Sequence, residues 1–303
     1  MYKYYYKNDY WVMEYVFYSL TDYIDYLDNT PVNYSGFGTR ALYSVDGDYS
    51  FCKTFSLDEA KKLCKFGYHE NFDKLMSLKV KLEKFIKLSN NKKKQYNYYV
   101  GYAPDVKAYL EGNPLSMLDK IHNIRKKVDI YMNTSYYAGS SSNAIFNRGA
   151  IVLTLIEILE TLGFSVDFHL FEMSYSGNMI HYSDFLLKKE NERLNPQKLY
   201  FPLCHPSWIR RLNFRLVEET PDIRGSWAFG YGRPCNLVMM KKIIDLKKND
   251  IVIPTIEELG IHGYNLIDDA NAVFSYINKY AENDFDLEYI KKKWYQRYHF
   301  YLL

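Results

Sequence analysis

The stretch from Val128 to Met173 restricts the possible folds of this chain more than any other. An apolar run, VDIYM, gives way to the polar loop NTSYYAGSSSN. A long apolar stretch, AIFNRGAIVLTLIEILETLG, follows, and SVDFHLFEM ends the segment with a second apolar run. Two short apolar runs separated by a helix-length segment read as buried parallel strands joined by a crossover helix. Parallel neighbours need a connection of a dozen residues or more, and it is right-handed. The helix has one polar stripe, Asn147, Thr154, Glu157, Glu160 and Thr161, so most of its circumference must be covered. Gly149 suits a close approach to the strand, and Gly163 a helix stop. The fold class that follows is α/β: a mainly parallel, Rossmann-like sheet with flanking helices.

The flanking sequence is of a different kind. Residues 1 to about 50 alternate aromatic and polar positions (Tyr2, Tyr4, Tyr6, then Tyr15 and Phe17), which suits strand or edge structure. SLDEAKKLCKFG opens on Ser56 with Glu59 three residues later and closes on Gly67, the signature of a short capped helix. Residues 72–88 keep Leu75, Leu78, Leu82, Phe85 and Ile86 at helical spacing, with lysines on the other face. The basic linker SNNKKKQYN, with Lys92, Lys93 and Lys94, leads to a connector punctuated by Pro104, Gly112 and Pro114. The expected organisation is a Tyr-rich and helical N-terminal region over residues 1–120 and an α/β domain over 121–303. Later strands are expected in LYFPLC, LNFRLVE and NDIVIP, and a final helix in DDANAVFSYINKYAE.

Composition narrows the function classes. The four cysteines form no Cys-x-x-Cys pair, so reduced thiols are expected rather than a disulfide framework or a zinc site. The N-terminus lacks an apolar core with a cleavage site, and no stretch reaches the roughly 18 uncharged apolar residues of a membrane span. A soluble, untargeted chain without membrane contact is expected. With 39 basic and 36 acidic residues there is no global field, so any nucleic-acid contact must be local. Candidates are Lys92, Lys93 and Lys94 beside Tyr96–Tyr99, and Arg210, Arg211 and Arg215 beside Trp208 in CHPSWIRRLNFR. The alternative for those arginines is an internal ion pair with Glu218, Glu219 or Asp222. The 32 tyrosines reflect AT-rich codons or a stacking surface, for which Tyr4–Tyr6 and Tyr96–Tyr99 are candidates. His205 beside Cys204 lacks metal-ligand spacing and reads as a core or turn histidine. His169 beside Asp167 is too weak a pair to nominate as acid and base. No catalytic residue, metal ligand or cofactor motif emerges.

A strand ending in Asn133-Thr-Ser135, then a Ser-rich loop and a long helix, resembles the opening βαβ unit of a von Willebrand factor A domain. In that family the strand ends in Asp-x-Ser-x-Ser and helps hold a divalent metal at the carboxyl edge of the sheet. Here Asn133 stands at the Asp position and Tyr137 at the second Ser, and the later strand DIVIP runs into Pro254 and Thr255 rather than an acidic residue. The resemblance therefore implies metal-independent binding. The phrases YAPDVKAYLEGNPLSM, IFNRGA and CHPSWIRRLNF are similar to a little-characterised group of bacteriophage proteins with such a core, over about residues 55–280. This resemblance implies a non-enzymatic adaptor in the cytoplasm of an infected host, docking a protein such as an AAA+ ATPase or a host protein. A nucleic-acid-binding protein and a minor virion component are the alternatives. Ligands of α/β sheets sit outside the carboxyl ends of the strands, and a helix N-terminus receives anions. The expected partner-binding residues are therefore Asn133, Ser135, Tyr136, Tyr137 and Ser140, with Arg148 added if it faces that edge. Ser141 or Ser142 as an ordinary N-cap is the structural alternative.

Overall fold

The first strands, β1 (Tyr2–Lys7) and β2 (Tyr10–Phe17), form an antiparallel hairpin about Asn8 and Asp9, which adopt the two positive φ angles that a tight hairpin turn requires. The computed structural model describes residues 2–30, 42–68, 72–86, 95–98, 103–120, 127–161, 164–220, 231–247 and 250–280. Among the described residues, five helices follow the hairpin: α1 (Leu20–Asn29), the single turns α2 (Tyr43–Asp46) and α3 (Tyr49–Cys52), α4 (Leu57–Phe66) and α5 (Phe72–Ile86). Ser19 caps α1, and the Ser56 hydroxyl accepts from Glu59 N–H at the start of α4 as its sequence predicts. The reciprocal bond of a capping box is shifted by one residue, since the Glu59 carboxylate takes Phe55 N–H.

The chain divides into two compact units, residues 1–86 with 127–303, and residues 87–126. The smaller unit holds β3 (Gln95–Tyr98), β4 (Ala103–Pro104), α6 (Val106–Leu110) and β5 (Met117–Lys120), with β5 central between β3 and β4. The larger unit continues with β6 (Lys127–Asn133), α7 (Ser142–Thr161), β7 (Ser165–Ser176), β8 (Met179–Lys188) and α8 (Pro196–Cys204). A π-helix (Trp208–Asn213) runs directly into α9 (Phe214–Glu219). Then come β9 (Arg233–Pro234), α10 (Leu237–Ile243), β10 (Ile251–Ile253), α11 (Ile256–Leu259) and α12 (Leu266–Tyr280).

The larger sheet has the order β1-β2-β8-β7-β6-β10, with β9 on β7. The crossover expected from sequence is present: β6 and β7 are parallel neighbours joined through α7. The sheet as a whole is mixed rather than mainly parallel. β10 on β6 and β2 on β8 are parallel, while β1 on β2, β8 on β7 and β9 on β7 are antiparallel. The cause is MIHYSDFLLK, a strand absent from the sequence expectations, which returns along β7 after a tight turn with Gly177 at φ +61°. LYFPLC is helical as α8, entered through an Asn195 cap and Pro196, and LNFRLVE continues the π-helix into α9. Short apolar runs do not distinguish a buried strand from a buried helix.

One face of the sheet carries the buried row Phe17, Phe185, Leu170, Met132 and Ile253, set side by side by strand register. Tyr23 of α1 and Trp208 of the π-helix pack on it edge to face. The other face packs Val12, Phe171, Met173, Ile180 and Tyr182 against Met240 and Ile243 of α10. Over residues 142–160, α7 is long and apolar enough to cross a membrane by length and composition, but it is a core helix, mostly buried by its neighbours. Its polar stripe meets protein: Asn147 donates to Asp269, Glu157 pairs with Lys79, and Glu160 pairs with Lys188. Gly149 permits close approach to α8 rather than to a strand. A Cβ there would collide with Cys204 Sγ and stand 2.7 Å from Leu203 O.

Candidate functional site

The loop at the carboxyl end of β6 is fastened almost residue by residue. Asn133 is fully buried. Its oxygen accepts from Ser135 N–H at 2.9 Å, and its nitrogen points at Cys235 O and Met240 Sδ. Ser135 Oγ donates to Met173 O at 3.1 Å and accepts from Met173 N–H at 3.0 Å. Tyr136 lies inside, donating to Pro206 O at 2.9 Å, and burial pushes its phenol pKa up. Glu257 accepts from Tyr137 N–H at 3.0 Å and from the Ser140 hydroxyl. Ser141 is the N-cap, accepting from Ala144 N–H at 3.1 Å.

Two guanidinium groups complete the clamp. Arg148, expected to matter only if it faced this edge, does face it and donates to Asn133 O at 2.8 Å. It is also almost wholly buried, and burial lowers its pKa to about 10. Arg210 donates to Ala138 O at 3.1 Å and Ser140 O at 3.2 Å, and also to Phe51 O, while its guanidinium lies 4.3 Å from the centre of the Phe51 ring. The large side chain of this loop that stands in solvent is Tyr137, 54 % exposed. Arg210 thereby ties the loop to Phe51 of α3, and elsewhere exposed Tyr49 and Phe55 stack at 4.6 Å.

Of the residues expected to bind a partner, Tyr137 and the half-buried Ser140 are thus at the surface, while Asn133, Ser135, Tyr136 and Arg148 are interior. Of the residues expected to form a basic patch, Arg210, Arg211 and Arg215 are all buried. Arg211 donates to Ser44 O, Val45 O, Gly47 O and Thr54 O, and to the Thr54 hydroxyl. Arg215 donates to Thr30 O and pairs with Glu219, one of the internal acids named from sequence. The short helices and bends of residues 42–56 leave carbonyls that secondary structure does not satisfy, and buried carbonyls require donors. Lys92, Lys93 and Lys94 lie outside the described residues.

Beneath the loop is a buried polar network that the sequence did not reveal. Glu172 lies 3.5 Å from Ser135 Oγ and stands 3.0 Å from His181 Nδ1. His181 Nε2 and the hydroxyls of Ser174 and Ser183 have no partner among the described residues. A carboxylate that orients an imidazole is the geometry of a general base, but His181 has no exposed surface, which makes this an interior network. On the opposite face of the sheet His169 is paired with Asp184, 3.1 Å away on the unforeseen β8, rather than with Asp167. Burial opposes its charge, but the hydrogen bond and charge of Asp184 outweigh that and raise its pKa. His205 is sandwiched by Phe201 and Tyr68, accepts from Ser207 N–H through Nδ1, and is pushed down to about 4 by burial. Among the described residues no group of three His, Cys, Asp or Glu side chains could hold a metal ion. The four cysteines are buried free thiols.

Residues 6–279 match a family described as a domain of unknown function (DUF7192). No curated protein and no solved structure matches the chain.

Proposed function

The chain belongs to the DUF7192 family, and from that premise we propose that it is a metal-independent protein-binding module of bacteriophage origin with a von Willebrand A-like core. It docks a partner in the host cytoplasm and catalyses nothing itself, and an AAA+ ATPase or a host protein is the partner class the resemblance implies. The observation that supports this reading is the preorganised loop. Arg148, Arg210 and Glu257 fix its backbone, so the exposed ring of Tyr137 can bind with little further loss of conformational freedom. An exposed aromatic ring on a fixed backbone is the kind of anchor that interfaces favour.

Affinity capture from infected cells with tagged protein tests it. Tyr137→Ala should weaken capture at least about tenfold, the scale of an interface hot spot, with Tm within about 3 °C of wild type. Tyr136→Ala should instead unfold or strongly destabilise the chain, because it removes a buried ring. Full capture by Tyr137→Ala removes the loop from the reading.

Nucleic-acid binding is the second reading, supported by the exposed ladder of Tyr4, Trp11 and Tyr6, whose neighbouring rings are 5.1 Å apart. Single-strand binding by stacking tolerates any sequence and weakens steeply with salt. Titration of labelled single strands at two salt concentrations therefore separates the readings. Mass spectrometry of purified particles tests a place in the virion.

A further inference from the structure

A square of polar side chains sits on the sheet face that Trp208 and α9 cover. Register sets Glu172 of β7 opposite Ser183 of β8 and Ser174 opposite His181, all on the face that carries Leu170 and Phe185. All four are buried. The stretch Trp208–Val217 runs across this square. At one end Trp208 packs edge to face on Phe185, two residues from Ser183. At the other end Val217 packs on Met13, the β2 neighbour of His181. Asn213, the last residue of the π-helix, lies between them in the chain and accepts from the Tyr23 hydroxyl at 3.2 Å. Burial raises the Tyr23 phenol pKa well above its usual value, and Cys64, Glu219 and Glu172 add to it, so the charge of the square is felt in the helical layer.

Both layers hold buried polar atoms that have no hydrogen-bond partner among the described residues. They are Trp208 Nε1 and Asn213 Nδ2 in the helical layer, and His181 Nε2 and the Ser174 and Ser183 hydroxyls on the sheet. Buried groups of this kind call for partners. The indole and amide nitrogens can only donate. With its Nδ1 on Glu172 at 3.0 Å, the neutral imidazole keeps its proton there and presents Nε2 as an acceptor. A bridging group must therefore accept from the helical layer and donate to the sheet. A cation would meet N–H donors and an anion would meet the Glu172 carboxylate, which leaves a neutral hydroxylic group. We propose that the sheet and the π-helix enclose a permanent hydration site, in which water accepts from Trp208 or Asn213 and donates to His181 Nε2 or a serine hydroxyl. Internal waters make about three such bonds to otherwise unsatisfied groups. π-Helical turns are rare and occur frequently at functional sites, and this one carries an unpartnered side-chain donor at each end. The site is independent of Tyr137 and of the protein-binding reading.

The test is NOE and ROE spectroscopy between water and the nitrogen-15-labelled full chain, reading the Trp208 indole N–H, assigned through Trp208→Phe. A cross-peak at the water frequency, with the sign of a long-lived contact, is expected. Ser183→Val places methyl groups in the site and should abolish it. Ser174→Val replaces Ser183→Val if circular dichroism shows that the latter does not fold. A wild-type spectrum without the cross-peak overturns the proposal, as does a cross-peak unchanged in the folded valine variant. A crystal structure of the full chain separates water from relay through a serine hydroxyl. Water density within about 3.2 Å of Trp208 Nε1 or Asn213 Nδ2 and of a sheet atom of the square is expected, and direct hydrogen bonds between the two layers overturn the proposal. A small organic molecule retained in native mass spectrometry and seen at that place overturns the assignment to water.

Discussion

At Asn133 an amide fills a role that a carboxylate could not. Its oxygen takes a backbone N–H while its nitrogen faces a carbonyl oxygen and a thioether. An aspartate would set a buried anion against Cys235 O, and unpaired buried polar groups cost about 1–3 kcal/mol, more when charged. Asn133→Asp is therefore expected to lower stability by at least about 2 kcal/mol rather than to create a metal site. Millimolar magnesium, manganese or calcium should leave the wild-type Tm unchanged in calorimetry. His205 gives a pH dependence with a definite sign. The folded chain takes up its proton only near pH 4, the unfolded chain near about 6.5, so acidification across that window favours unfolding. The contribution is fully present above about pH 6.5 and lost as pH falls to about 4. It amounts to about 3 kcal/mol, and denaturant melts of wild type and His205→Gln at both ends of the window check it.

The elements carry the next scale. Gly149→Ala should be among the most damaging single-methyl changes in the molecule. The new Cβ meets the backbone of Leu203 and the sulfur of Cys204, so α7 and α8 must separate. Overpacking of this kind costs about 1–3 kcal/mol or more. Leu155→Ala on the same helix, buried against the core, should cost about 2–5 kcal/mol, and equal loss from both by urea melts would fit a helix covered on every side. The crossover was legible because long helices and their flanking strands leave two distinct periodicities. So were the capped α4, α5, β10 and α12. The join of the π-helix to α9 was not, because in LNFRLVE the alternation of Leu212, Phe214 and Leu216 fits a strand while Leu212, Leu216 and Val217 fit a helix face. The loop's clamp was invisible for another reason: Arg210, Glu257 and Pro206 reach it from sequence distances of about 70 to 120 residues, which no local pattern records. Arg211, equally unreadable, shapes residues 44–54 by giving donors to their carbonyls, so Arg211→Lys, with fewer donors in a different geometry, should lower Tm by several degrees while leaving the sheet intact by circular dichroism.

Across the larger unit, the aromatic–polar alternation of the first residues correctly indicated strands, and the structure answers what they join. β2 is an inner strand of the main sheet, between β1 and β8. Amide exchange followed by mass spectrometry should find Val12–Phe17 opening together with β7 and β8 in one cooperative step, as buried strands of one sheet do. Separate, faster exchange of β2 would show a detachable hairpin. The parallel pairing of Trp11 with Met179 also sets an order of events during biosynthesis. The hairpin precedes its partner strand by about 170 residues of synthesis, and at 5–20 residues per second this leaves roughly 10 to 30 s without a partner. An isolated two-stranded hairpin is marginal in water, and this one holds Val12, Met13, Tyr15 and Phe17 ready for burial. A nascent chain of this kind is a natural client for a holding chaperone from its first strand until β8 is made.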